Sequence, residues 1–289
     1  MGNMLIRFKI YNLKMKQNTI FSLFFFILFF YVHSLKSQDI FNLENSEKYA
    51  NWLFENKDYK LASEEFERVN FMSPDKKENQ LKLVKSYRLS KNYLSGINKA
   101  KEYFSNSNEN IFLEEELKMY LLQRKLQLTD SLLGLQPFPA NKKDFYKFAF
   151  LLLIDSRKLI IDNSLVLNYA GKKEELELIE LGIKYSLEKH KSPVLASAMS
   201  AIIPGSGKIY AGDWKNGLMS FLYVVATGFN AYRGFRKHGI NSGYGWVYSG
   251  LSFCFYAGNI WGSQKEAKNF NKRKRKILEE KVDNIISKY

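Results

Sequence analysis

The chain has 289 residues, 16% of them aromatic, and a formal net charge of +15, so it holds one or two domains with ample material for a core. The charge argues against a nucleic-acid-binding face, because residues 37–192 are nearly neutral (25 basic, 24 acidic) while the surplus lies in 1–36 (5 against 0), 193–263 (5 against 1) and 264–289 (9 against 4). A nucleic-acid face would place it on the folded domain. Cys254 is the single cysteine, which excludes an intrachain disulfide, and three scattered histidines give no metal-ligand spacing.

Residues 19–32 form an unbroken apolar run, preceded by Lys14 and Lys16 and followed by Ser37 and Gln38. Its length suits a signal h-region better than a span of about 20 residues. Leu35 and Ser37 fit the −3 and −1 positions of a cleavage site, so 1–37 is expected to be a signal peptide. An uncleaved anchor is the rival reading, and translation from Met1 or from Met15 fits. In both readings residues 38–192 lie outside the cytoplasm.

Helical spacing dominates 43–191. Tyr49, Ala50, Leu53, Asp58, Tyr59, Ala62, Phe66, Val69 and Pro74 set small and aromatic residues at helical intervals and end on a proline. A step of about 34 residues meets Val84, Tyr93, Gly96, Ala100 and Tyr103. A third unit at 111–133 keeps only the helical pattern. This stretch resembles the tetratricopeptide repeat. The resemblance implies paired helices over 38–134, packed through Ala50, Tyr59, Ala62, Phe66, Pro74, Tyr93 and Gly96, with a surface for a peptide or protein partner. After the break at 135–140, apolar helices are expected at 145–153 and 159–167, and a helix at 172–191 with Glu174, Glu175, Glu177 and Glu180 on its polar side closes the soluble domain at 192. Asp155, Arg157 and Lys158 cut the run 148–154 too short for a span.

Residues 193–263 are expected to be a membrane domain with segments at about 194–211, 216–232 and 244–262. The last two carry no charge, and Trp214, Tyr232, Tyr244, Trp246 and Trp261 stand near their ends, where aromatics favour the water–lipid boundary. Pro204, Gly205 and Gly207 break the first segment, which either crosses or dips in and returns. Crossing is favoured, because it puts the basic tail inside. Gly258 and Gly262 form a Gly-x-x-x-Gly pair for close helix approach, and Asn230 and Asn259 are expected to hydrogen-bond between helices. The Pro204-Gly205-x-Gly207-x-x-Tyr210-x-Gly212 pattern, with Gly258, Asn259, Trp261 and Gly262, resembles a membrane module of uncharacterised bacterial envelope proteins. The resemblance implies location and architecture, not chemistry. In the tail 264–289, read as a basic helix, Lys272, Arg273, Lys274, Arg275 and Lys276 are expected to meet lipid head groups.

Gly205-Ser-Gly-Lys208 is not a phosphate loop: Ile202 and Ile209 stand where a glycine and a Ser or Thr are required. No nucleophile elbow is present. The expected fold class is therefore all-α, a helical-repeat domain followed by a transmembrane hairpin or three-segment membrane domain. The expected function is a non-enzymatic scaffold at the inner membrane, with lipid and a protein as partners and no nucleic acid, cofactor, metal or small-molecule substrate. The alternative is a small transport or insertion-assisting protein working through the Pro-Gly-x-Gly segment.

Overall fold

The computed structural model describes Met15 and residues 19–27, 41–135, 138–154 and 172–289. The cleavage position after Ser37 and the helix expected at 159–167 lie outside these residues. Residues 19–27 of the N-terminal apolar run are helical. Among the described residues every regular element is a helix, and the protein is all-α.

The chain divides into two units, Met1–Ser90 and Lys91–Tyr289. The first holds α1 (Leu43–Glu55), α2 (Tyr59–Met72) and α3 (Lys77–Leu89). Asn42 caps α1 by accepting from the Asn45 amide at 2.8 Å, and Asp58 caps α2 by accepting from that of Leu61. Pro74 sits in the turn after α2, where it cannot continue the helix. Ala50, Ala62, Phe66, Val69 and Val84 are fully buried. The Phe66 side chain alone contributes about 2 kcal/mol.

The second unit holds α4 (Tyr93–Ser107), α5 (Asn110–Leu122), α6 (Leu126–Leu135), α7 (Ala140–Leu153), α8 (Lys173–Leu187), α9 (Pro193–Ile202), α10 (Ser206–Tyr210), α11 (Trp214–His238), a 3-10 turn (Gly239–Asn241) and α12 (Gly243–Lys288). The boundary expected at 263/264 falls inside α12, which runs unbroken for 46 residues because no proline follows Gly243. At 1.5 Å per residue it is about 69 Å long. Its C-terminal end, through Leu278, Val282, Ile285 and Ile286, is buried in one core with Phe145, Tyr146, Leu152 and Leu178. The Tyr289 ring stacks on Phe145 at 3.7 Å.

The first six helices recur at a fixed interval. Leu43 to Lys77 and Tyr59 to Tyr93 are steps of 34 residues; Lys77 to Asn110 and Tyr93 to Leu126 are steps of 33. Buried positions follow the same register: Ala50, Val84 and Leu117; Leu53, Tyr87 and Tyr120; Ala62, Gly96 and Thr129; Phe66, Ala100 and Leu133. The turn within each pair repeats as well. Lys57, Lys91 and Arg124 all take left-handed backbone, with φ of 63°, 64° and 60°. In the first and third turns the next amide reaches back five residues, Asp58 to Leu53 and Lys125 to Tyr120, both at 3.0 Å. This is the Schellman ending of a helix.

Candidate functional site

The Pro-Gly-x-Gly stretch is a doubled-back turn, not a span. Ser192 caps α9 on the Leu195 amide at 3.2 Å, with Pro193 in the first helical position. The chain reverses at Ile203–Gly205 and returns as α10. Both ends of the segment meet the same part of α12. Asn271 exchanges two hydrogen bonds with the Lys191 backbone (2.9 and 2.8 Å), and Gly212 packs on Phe270. Tyr210 closes the loop: its hydroxyl accepts from the Ser192 amide at 3.1 Å, under the Lys191 ammonium. The expected crossing at 194–211 is therefore corrected. Pro204 and the positive φ of Gly205 (+87°) stop α9 and turn the chain back.

The glycines are required by contact. A Cβ on Gly205 would stand 1.9 Å from the Gly217 carbonyl oxygen, and one on Gly207 1.9 Å from that of Ala196. The approach exposes backbone groups, and a buried polar knot satisfies them. The Gly205 amide donates to Asn259 Oδ1 (3.1 Å) and the Gly207 amide to Ser200 Oγ (2.9 Å). Ser200 and Ser263 share a hydroxyl hydrogen bond of 2.6 Å, and Ser263 donates to the Asn259 carbonyl. Ser200, Ser263 and Gly217 are members of the knot that pattern reading missed. A serine or glycine inside a helix shows its role only against a partner far along the chain.

α11 and α12 pair antiparallel as a hairpin. Gly234 lies against the Gly245 backbone, and Ser252 Oγ reaches the Val224 carbonyl at 3.4 Å. Asn230 accepts from the Tyr244 hydroxyl at 2.9 Å and donates to Ala226 in its own helix. Both asparagines thus bridge helices. The Gly-x-x-x-Gly pair does not. Gly262 packs on the Lys208 side chain, but Gly258 faces outward with open space around it.

The exposed surface of the hairpin is apolar or aromatic on every side. Between Leu218 and Tyr232, and between Tyr244 and Trp261, every exposed residue is apolar, aromatic, glycine or Cys254. Trp214 (60% exposed) and Trp261 (75%) stand at one end of this belt, Tyr232 (60%) and Trp246 (61%) at the other. Among the described residues no helix is long and apolar enough to cross a membrane. Tyr, Ser, Thr, Asn and Gly dilute the segments expected at 216–232 and 244–262.

The basic cluster is partly turned inward. Arg275 donates to the Leu152 carbonyl (2.9 Å), to that of Leu153 and to Glu279 (2.8 Å), tying α12 to the C-terminal end of α7. Arg273 pairs with Glu266 at 2.9 Å and Lys274 with Glu188 at 3.3 Å. Lys276 pairs with Glu280 on the surface at 3.8 Å, and Lys272 is exposed. On α1 of the first unit, Tyr49 and Trp52 stack at 6.0 Å and are both exposed.

The densest buried ionisable group lies in the second unit. Glu114 accepts from Tyr146 (2.7 Å) and Lys142, with Lys118 at 3.3 Å. Burial pushes the Glu114 carboxyl up, but the Lys118 charge and the hydrogen bonds from Lys142 and Tyr146 hold it below its ordinary value. Every member is engaged by another, as in a structural ion network. Among the described residues no cluster could hold a metal ion. No family model matches the chain, and no curated protein or solved structure matches it.

Proposed function

We propose that the chain is a non-enzymatic scaffold that holds a tetratricopeptide-like helical body at the inner membrane by a lipid-embedded C-terminal hairpin. The observation that carries this reading is the apolar belt around α11 and α12. A one-sided protein interface would leave a polar opposite face, whereas a helix pair apolar all round belongs in a core or in lipid. The charge-free stretch 216–232 is 17 residues, or about 26 Å of helix, against the roughly 30 Å of a hydrocarbon core. Cations lie just beyond each end: Lys215 and Lys265 at one, Arg233, Arg236 and Lys237 at the other. Ser220, Thr227 and Asn230 donate to carbonyls of their own helix, and Ser252 and Asn259 to neighbouring elements, which lowers the burden of immersing the pair.

The packing of α12 against α7 and α8 supports a topology. The second unit's helical core and the chain's C-terminal helix end share one face of the membrane, and the Arg233–Lys237 tip reaches the other. With the body outside the cytoplasm the tip is cytoplasmic, and three members of the basic cluster, Arg273, Lys274 and Arg275, are held by Glu266, Glu188 and α7 rather than free to direct insertion otherwise. The 34- and 33-residue recurrence supports the tetratricopeptide-like reading, and Tyr49 with Trp52 offers the protein partner an aromatic surface. The filled knot around Gly205 and Gly207 speaks for a joint rather than a transport path.

The test is flotation of the full chain with phosphatidylcholine vesicles, beside a variant carrying L222E, V225E and F229E. The natural chain is expected to float and to resist alkaline extraction, and the variant to stay below. A natural chain that remains in aqueous buffer without detergent overturns the reading.

A further inference from the structure

The outer row of α12 changes character within one turn. Val247, Gly250, Cys254, Gly258 and Trp261 follow at steps of three or four and all are exposed, so they share one helical face. The row continues as Lys265, Lys268 and Lys272, also exposed. The carboxylates of this stretch are engaged by other cations: Glu266 by Arg273, Glu279 by Arg275 and Glu280 by Lys276. No carboxylate pairs with Lys265, Lys268 or Lys272 among the described residues. Like charges at these spacings repel one another, so the row destabilises α12 unless a counter-charge arrives from outside.

Lys215 joins the row from α11. The antiparallel register, with Gly234 at Gly245 and Gly228 at Ser252, brings Trp214 and Lys215 level with Lys265. The Lys215 ammonium lies 6.0 Å from the Trp214 ring, and Asp213 beside it is occupied by the Asn216 amide it caps. Two tryptophans and four lysines thus mark one end of the hairpin, Lys215 level with Lys265 and the three α12 lysines spread over about 10 Å of one helical face.

We propose that Lys215, Lys265, Lys268 and Lys272 form a collar that binds the anionic head groups of phospholipids of the phosphatidylglycerol type, on the side of the bilayer that carries the helical core. The inference rests on the hairpin reading and adds the lipid class. Lipid is the occupant because the collar is continuous with the apolar belt: a bilayer covers both surfaces at once. Each lysine near an anionic surface is worth roughly a factor of five in affinity.

The experiment supplies the detergent-solubilised full chain with equal phosphatidylglycerol and phosphatidylcholine, exchanges the detergent, and measures the retained lipids by mass spectrometry. The natural chain is expected to enrich phosphatidylglycerol about tenfold or more. Enrichment should fall towards unity in K265Q/K268Q/K272Q, survive in K265R/K268R/K272R, and survive in the first-unit control K57Q/K60Q/K77Q. No enrichment by the natural chain, or equal enrichment by the glutamine variant, overturns the collar. Failure to float on pure phosphatidylcholine vesicles overturns the hairpin reading instead, so the two failures are separable.

Discussion

The Arg124 guanidinium grips the Asp283 carboxylate with two parallel hydrogen bonds of 2.8 and 3.0 Å, across 159 residues of sequence. Arg124 is the left-handed residue of the third helical turn, and Asp283 lies on the buried end of α12. The pair ties the last repeat to the helix that also builds the hairpin. Both side chains are about one-third exposed, which tempers the gain, but the bidentate geometry favours it. D283N should lower stability by about 1 kcal/mol, or roughly 2–4 °C in the unfolding midpoint. A double-mutant cycle with R124Q checks it. Additive single effects would show that the two groups do not interact.

The turn between α1 and α2 holds a lysine where glycine is the usual choice. Lys57 has φ of 63°, and its side chain needs no particular partner to make the turn. A non-glycine residue in left-handed backbone costs about 1 kcal/mol. K57G should therefore raise the denaturation midpoint of the full chain by about that amount, while glycine at exposed mid-helix Glu64 should lower it. A loss of stability in K57G would mean that the Lys57 side chain makes a contact worth more than the strain.

How far the fold was legible depends on how local each signal was. The first repeat could be read because Ala62, Phe66 and Pro74 lie within a few turns of one another. The third was lost because Ala62 and Phe66 correspond to Thr129 and Leu133 by way of a 33-residue step, and threonine breaks the small-residue pattern while still packing fully buried. The Pro204–Gly207 reversal was visible as a break, since proline and glycine act on their own backbone. Its direction was not, because the return is set by Asn271 and Phe270, some 60 to 80 residues downstream. The unbroken course of α12 was hidden by the change of its exposed surface from apolar to lysine, which reads as a domain boundary in one dimension.

The knot gives a sharp contrast between glycines. In G207A the new methyl would meet the Ala196 carbonyl oxygen, a backbone atom that cannot swing aside. The loss should be at least about 2–3 kcal/mol, seen as protease sensitivity of the detergent-solubilised hairpin. G258A meets nothing within 4 Å and should be tolerated or slightly stabilising. Equal sensitivity of the two variants would remove the knot from the account.

Acid should loosen the helical core through Glu114. Its folded carboxyl sits below the ordinary 4.5, so it binds its proton more weakly folded than unfolded. The stability this provides is present above pH 4.5 and is lost as the pH falls below that value towards the folded pKa. Tyr146 acts at the other end. Burial first, and then the Glu114 charge, pushes its phenol well above 10, so stability declines as the pH rises beyond 10. E114Q should flatten the acid limb of a stability–pH profile relative to the natural chain. An unchanged acid limb would show that other carboxylates carry it.

Topology gives the last test. The C-terminal end of α12, through Leu278, Val282, Ile285 and Ile286, is buried with Phe145 and Leu178, so the core and the chain end cannot lie on opposite sides of a bilayer without unfolding that core. The tip of the hairpin is separated from them by the belt. In a C254S background, I240C marks the tip and L187C the end of α8, both at strongly exposed positions. A membrane-impermeant thiol reagent added to sealed vesicles should label one of the two and spare the other, and breaking the seal should make both reactive. Labelling of both from one side would mean that the hairpin lies along the surface rather than through the membrane, and the Trp214 and Tyr232 rings would then have to share one interface.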